Sequence, residues 1–399
     1  MKRIMKYSII ILNTLLLAQL AWSQPIIANH FCIDRSKIPS QWIDSARAKL
    51  NIAYGHTSHG SQLVTGMNAL EDIHGSIYGF NSTGSGGAMI FHDGAMGGDV
   101  GYYPAWVNNT RSYLGTPDTN GCGADHPDVN VIIWSWCGQA SSKSGQTMID
   151  EYLAPMSQLE REYPGVNFIY MTGHLDGGGV EGSLNINDQQ IRTFCIDSNK
   201  ILFDFMDIES YDPNGLVNYM PLRANDNCDY DSDGNGSRDA NWATEWISAN
   251  PESELTQEAA AICSNCCAHS KGLNCVMKGR AVWWLWARLA GWNGTTGVEE
   301  NDKYISPTFV LSQNYPNPFN PTTVISYKLS VISYVNMKIY DVLGHEVATL
   351  VNGVQSSGTH TVEWNGENSA GQQVGSGVYF YQIKSNNSNA KTKKMILLK

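Results

Sequence analysis

Cysteine is absent from the last part of this chain: nine cysteines fall between Cys32 and Cys275, and none follows in a sequence of 399 residues. So sharp a change in usage marks a domain boundary. Charge is scarce, at 16% of residues, and acids outnumber bases 37 to 26 for a formal net charge of −11. Such a surface argues against nucleic acid and anionic membranes as partners, since both carry the same sign. Apolar runs of membrane-spanning length are lacking too; the run at residues 9–20 is too short for a comfortable crossing. Also missing are a Walker loop, a dinucleotide fingerprint and a His-Glu-x-x-His helix, so nothing supports nucleotide or zinc-protease chemistry.

That short apolar run has another meaning. Lys2, Arg3 and Lys6 precede it and Ala21-Trp22-Ser23 follows, the pattern of a secretory signal at residues 1–23 cleaved before Gln24. Losing those three bases takes the net charge from −11 to −14. In an exported chain the cysteines are expected in disulfides, with one left over. Cys263, Cys266, Cys267, His269 and Cys275 also have ligand-like spacing, which keeps a zinc cluster as the internal rival.

Residues 24–295 alternate apolar strands with helical stretches. A helix is expected at 39–50, strands at 51–54, 129–136, 166–172 and 201–206, and helices at 144–163 (kinked near Pro155), 187–198 and 278–289. Strands separated by helices at such intervals predict an α/β unit with a parallel sheet. The glycine-rich stretch 74–130 is expected to be mostly irregular and to lie over the site. Its aromatics Tyr102, Tyr103 and Trp106 are read either as sugar-stacking groups or as core. Residues 296–308 form a linker rich in glycine, threonine and acids. Residues 309–399 change to short alternating strands with glycine turns, the pattern of a small β-sandwich.

Chemistry is expected where the strand at 51–54 gives way to the turn at 55–60, since open parallel sheets bind ligands at the carboxyl ends of their strands. That turn holds His56, Ser58 and His59. His174 and Asp176 follow a later strand and are assigned to the same rim, as substrate contacts or as a second acid/base pair; His92 and Asp93 are weaker candidates.

The string His56-Thr57-Ser58-His59-Gly60 resembles the first block of the SGNH (GDSL-like) hydrolases in a form where His-x-Ser-x-Gly replaces Gly-Asp-Ser. Cys267-Ala268-His269-Ser270, followed by Asn274, Gly279 and a closing helix, resembles the last block. The resemblance implies a three-layer, flavodoxin-like fold and a carboxylic ester hydrolase. Ser58 would be the nucleophile, with Ser61 close by, and His269 the general base. Gly98 and Gln139 would assist the oxyanion, and Asp207 would be a third member. The family usually has aspartate three residues before the histidine, where this chain has Cys266. Acylated polysaccharide is the expected substrate by fold-level analogy, and no cofactor is needed for catalysis.

The tail resembles the C-terminal sorting domains of the type IX secretion system, through QNYPNPFNPTT at 313–323, IYDVLGHEV at 339–347, GVYFYQI at 377–383 and the terminal KKMILLK. This implies an address read by that secretion machinery, and a mature chain that is secreted or held at the cell surface without a transmembrane anchor. Asp229, Asp231, Asp233, Gly234, Asn235 and Asp239 resemble the opening of a calcium loop, although Ala240 stands where the closing acid belongs. Two rivals to the esterase remain: a non-catalytic surface glycan-binding protein on the same fold, and a metal-dependent hydrolase using the histidine-rich rim with Asp93, Asp99 or Asp176.

Overall fold

The computed structural model describes residues 25–294, 310–329, 333–355, 358–385 and 391–398; the expected signal peptide and linker lie outside the described residues. The first unit runs β1 (Ile26–Ala28), α1 (Ser40–Lys49), β2 (Asn51–Gly55), α2 (Ser61–His74), β3 (Phe80–Asn81), β4 (Met89–Met96), α3 (Ala105–Leu114) and β5 (Val131–Trp134). It continues through α4 (Gly145–Met148), a π turn (Ile149–Leu153), α5 (Ala154–Glu162), β6 (Asn167–Met171), α6 (Ser183–Asp197), β7 (Ile201–Phe203) and α7 (Phe205–Ser210). A small hairpin, β8 (Asp229–Tyr230) and β9 (Ala240–Asn241), leads into α8 (Trp242–Ala249), α9 (Glu254–Ala261) and α10 (Gly272–Leu289).

Seven strands form one parallel sheet in the order β1-β7-β6-β5-β2-β4-β3. Side chains alternate across a strand, so Ile52, Tyr54, Val131 and Ile133 enter a core shared with α1, α2 and α10. Ala53, Ile132 and Trp134 enter the opposite core, with Met148, Tyr152, Leu159 and Ile191. Two cores on one sheet make three layers. Helices α2 and α10 meet at paired glycines: a Cβ on Gly66 would lie 1.9 Å from the Cys275 carbonyl oxygen, and one on Gly279 2.3 Å from the Gly66 carbonyl carbon. Trp283 and Trp286 anchor α10 in the core.

Three expectations change. The stretch 74–130 contains β3, β4 and α3, because Met89 and Phe91 bury the first half of β4 in the core shared with α2 and α10, and Met96, past the irregularity at Asp93–Gly94, enters the opposite core. The strand expected at 201–206 stops at Phe203, since the Asp204 side chain accepts the Asp207 amide (3.2 Å) and starts α7. Helix α2 lay unrecognised behind its polar first turn. The kink expected near Pro155 is the π turn before it.

The second unit comprises β10 (Val310–Leu311), β11 (Thr323–Leu329), β12 (Ser333–Tyr340), β13 (Glu346–Gln355), β14 (Gly358–Trp364), β15 (Gly377–Ser385) and β16 (Lys391–Leu397). Antiparallel sheets β10-β11-β14 and β13-β12-β15-β16 enclose Ile325, Tyr327, Val335, Met337, Trp364, Tyr381 and Met395. This is the β-sandwich expected from the alternating pattern.

Candidate active site

The turn after β2 is drawn tightly against the end of β5. A Cβ on Gly60 would stand 2.2 Å from Ser135 Oγ, so only glycine lets the turn close there. The Tyr54 hydroxyl donates to the Gly60 carbonyl (3.0 Å), and Ser61 Oγ donates to the Ser58 carbonyl (2.7 Å). Ser61 is thus spent on the backbone, while Ser58 is exposed and its Oγ lies 3.5 Å from Cys137 Sγ.

Next to Ser58, His59 belongs to a stack of three imidazoles. His59 lies against His174 at 3.7 Å between ring centres and against His269 at 4.4 Å. Each comes from a different loop, after β2, after β6 and before α10. His59 is the fixed member: its Nε2 is 3.0 Å from the Asp226 carboxylate and its Nδ1 is 3.2 Å from Cys137 Sγ. Burial above all, then the charges of His174 and His269, holds His59 below the ordinary histidine value despite Asp226. Burial pushes the Asp226 carboxyl up, but the hydrogen bond from His59 and the charges of His174 and His59 outweigh it and leave the group lowered. His174 Nδ1 faces the Leu175 carbonyl (3.0 Å), and its Nε2 is buried with no hydrogen-bond partner.

His269 is exposed and left-handed (φ 59°), a backbone state that costs a non-glycine residue energy and recurs at functional sites. Its loop is held by two disulfides, Cys263–Cys266 and Cys267–Cys275. Those bonds consume the sulfurs of the zinc rival and leave five free cysteines rather than one: Cys32, Cys122, Cys137, Cys195 and Cys228. A polar cavity of about 390 Å³, lined by Asp226, Asn265, His269, Ser270 and Lys271, opens beside the stack.

A buried polar chain ties these loops together. Lys278 Nζ donates to Gln62 Oε1 (2.6 Å) and to Glu209 (2.8 Å), and the Gln62 amide donates to the Ala268 carbonyl (2.5 Å) beside His269. Glu209 also accepts the Leu175 amide beside His174, and Asn274 donates to Ser270 Oγ (2.7 Å). The rim therefore rests on an ion pair that is completely buried.

The other expected residues are distributed more widely. His56 Nε2 meets Asp93 (2.6 Å) while its Nδ1 faces the Thr57 carbonyl (2.8 Å). Burial lowers His56, but the Asp93 and Thr57 bonds outweigh it and raise the group. Asp99 is buried and accepts from Thr57 (3.1 Å) and from the Gln139 amide (3.3 Å), so Gln139 is engaged with a carboxylate and not held open for an oxyanion. Gly98 is exposed at φ 90° beside Asp99. Asp207 does not orient His269: it lies in α7 and binds His30 through both the His30 amide and ring. Asp176 accepts the Gly178 amide (2.8 Å) within its own turn and does not pair with His174.

The carboxylates expected to hold calcium are turned to their own loop. Asp231 accepts the Gly234 and Gly236 amides (both 2.8 Å), Asp233 that of Asn235 (3.1 Å), Asp239 that of Ser232 (3.0 Å), and Asp229 the Asn227 and Asn241 side chains (both 2.8 Å). They do not converge. Among the described residues the groups whose ligand atoms do lie within 4.8 Å of one another are His59, His174 and Asp226, and His74, Glu254 and Glu258. The second set is occupied by Arg35 and Arg280. Tyr102 and Tyr103 are exposed, whereas Trp106 is core.

Asp226 and Cys137 were missed in the sequence. Asp226 sits in a polar stretch, ANDNCDYD, with nothing to separate it from its neighbours, and Cys137 stands alone between Trp136 and Gly138 with no second cysteine or histidine beside it to mark it.

Residues 320–389 match the family described as the FlgD Ig-like domain. The match is confined to the second unit. Similar solved structures include PorZ, a surface component of the type-IX secretion system of Porphyromonas gingivalis, at 24% identity over 22% of this chain and 11% of that one (TM-score 0.18). Latent PorU of the same organism is 20% identical over 23% and 9% (TM-score 0.20), and FlgD of P. aeruginosa 28% over 19% and 58% (TM-score 0.16). The chain thus spans about a tenth of the length of the first two and under two thirds of the third. No curated protein sequence matches it. No helix among the described residues is long and apolar enough to cross a membrane.

Proposed function

We propose that the first unit is an ester hydrolase of SGNH type that works by acyl transfer to Ser58, acts on acyl groups of carbohydrate, and is exported through the type IX system by its C-terminal unit. The observation that carries the chemistry is an exposed serine at a strand-to-helix turn, next in the chain to His59, whose ring stacks on those of His174 and His269 at the rim of the central strands. Ser58 Oγ attacks the ester carbonyl, His269 takes its proton and returns it to the leaving alcohol, and water then frees the acyl group. No hydrogen bond joins Ser58 to His269 here; such contacts commonly tighten only with substrate bound. The His59–Asp226 bond fixes the ring on which His269 stacks, supplying the orientation that an aspartate before His269 would otherwise give. Export rests on the four tail motifs and on the Ig-like match.

A fluorophosphonate probe on the mature protein tests the nucleophile. Labelling should persist in Ser61→Ala and vanish in Ser58→Ala; labelling that survives Ser58→Ala removes this serine, and none in any form selects the glycan-binding reading. A metal-dependent hydrolase draws support from the proximity of His59, His174 and Asp226. Against it, the two rings are parallel within 3°, so their lone pairs run side by side instead of meeting at one ion. Aryl acetate turnover that is lost with chelator and restored by zinc would favour the metal.

A further inference from the structure

One nucleophile on this rim takes no part in the ester chemistry above. Cys137 follows β5, one strand over from Ser58, and is the free cysteine whose sulfur faces an imidazole. Sγ is 3.2 Å from His59 Nδ1, and His59 Nε2 is 3.0 Å from Asp226, so nucleophile, base and orienting carboxylate are connected in order. With Nε2–H donated to Asp226, Nδ1 carries the lone pair that accepts the thiol proton. A second feature points at the same turn. Gly138 has no side chain, and His174 Nε2, buried and without a partner, lies 3.8 Å from where its Cβ would stand. Because His174 Nδ1 faces the Leu175 carbonyl, that Nε2 is an acceptor, placed for an N–H donor on an incoming molecule.

The other free cysteines are built differently. Burial pushes the thiols of Cys32 and Cys228 up to about 12 and that of Cys195 well above its usual value. Cys122 is raised by burial and by Asp118 and Asp128. A thiol without its thiolate is inert toward disulfides.

We infer that Cys137, with His59 and Asp226, is an activated thiol that exchanges with small amino-bearing disulfides of the cystine type, and that the resulting cap covers the neighbouring Ser58 hydroxyl. The thiol itself is independent of the esterase reading; the covering of Ser58 rests on it. In the exchange the Cys137 S–H proton passes to His59 Nδ1 and the thiolate sulfur attacks one sulfur of the disulfide. The protein–small-molecule S–S bond forms as the original S–S bond breaks, and the departing thiolate takes the proton from His59. One disulfide and one thiol give one mixed disulfide and one thiol, with no further oxidant. The adduct would sit 3.5 Å from Ser58 Oγ, where a substrate acyl group must enter.

The test exposes the mature protein to cystine, with peptide mass spectrometry reading each cysteine over time. Cys137 should be modified first, and both His59→Ala and Asp226→Asn should slow it, the former by on the order of 10²-fold. Two variants guard against a misfolded one. Capped protein should lose fluorophosphonate labelling at Ser58 and regain it with just enough dithiothreitol to release the cap while Cys263–Cys266 and Cys267–Cys275 stay oxidised by mass. Modification of Cys137 no faster than Cys122, or at a rate indifferent to both variants, overturns the activated thiol. Fast capping that leaves Ser58 labelling untouched overturns the covering of Ser58. If Ser58 is never labelled while Cys137 is capped fast, the esterase reading fails and the thiol stands.

Discussion

Lys278 and Glu209 face each other with no solvent contact beneath the rim of the first unit, and Arg280 and Glu258 form a second buried pair. The second unit has nothing comparable among its described residues: its ion pairs, Lys338–Glu346 and His345–Asp341, are exposed, and its core is apolar and aromatic. The difference teaches where charge is tolerated. Burying an ion pair gains little stability over packed hydrophobic groups, yet this one holds the His174 loop through Leu175 and the His269 loop through Gln62. A sandwich whose strands are fixed by their own ladders has no such need.

The contrast breaks most sharply at Ser58. Ser58→Ala should lower aryl ester turnover by on the order of 10⁴-fold or more without changing the melting curve, measured by initial rates and calorimetry. Lys278→Met leaves Glu209 buried and unpaired, and should cost about 3–5 kcal/mol in urea unfolding of the first unit while also reducing turnover. Trp364→Ala hollows the other core; it should cost about 3–4 kcal/mol in the unfolding of the second unit and leave ester turnover as it was. If turnover followed Trp364, the division of labour between the units would be wrong. Gly66→Ala forces α2 from α10 and should cost about 2 kcal/mol by the same urea assay.

The smallest effect concerns pH. His59 titrates below its ordinary 6.5 in the folded state, so the unfolded chain binds that proton first on acidification. Its contribution to stability is complete above about 6.5 and shrinks as pH falls toward the folded value. His56 is raised and works the opposite way, contributing below that pH and losing its share as pH rises. Comparing His59→Ala with the wild type, the drop in melting temperature between about pH 7 and pH 5 should be smaller by about 1–2 °C in the variant. An unchanged drop would show that His59 is not held neutral by burial.

Much of this architecture is legible in the residues. The continuous apolar runs at β5 and β6 predict strands covered on both faces, and Val131–Trp134 and Phe168–Met171 are buried throughout. The alternation in TVISYKL predicts a half-buried antiparallel strand, which β11 is. Less legible is β4: HDGAM reads as a loop because exposed Asp93 and Gly94 interrupt the strand where its pairing with β2 shifts, between Phe91 in one core and Met96 in the other. At the site, the sequence singled out Ser58, His59, His174 and His269, each marked by a motif or by a strand end, and it assigned Asp207 by position alone.

What the order of residues determined was a parallel sheet with helices on both sides, an antiparallel sandwich after it, and strand ends that carry histidine and hydroxyl groups, because periodicity and turn chemistry are local properties. Which partner each group meets was decided only by the folded chain. Asp207 went to His30, Asp226 came to His59, and Cys137 arrived between His59 and Ser58. Such pairings depend on how loops from distant strands are drawn together by the buried chain from Gln62 through Lys278 to Glu209, and no spacing along the sequence encodes that meeting.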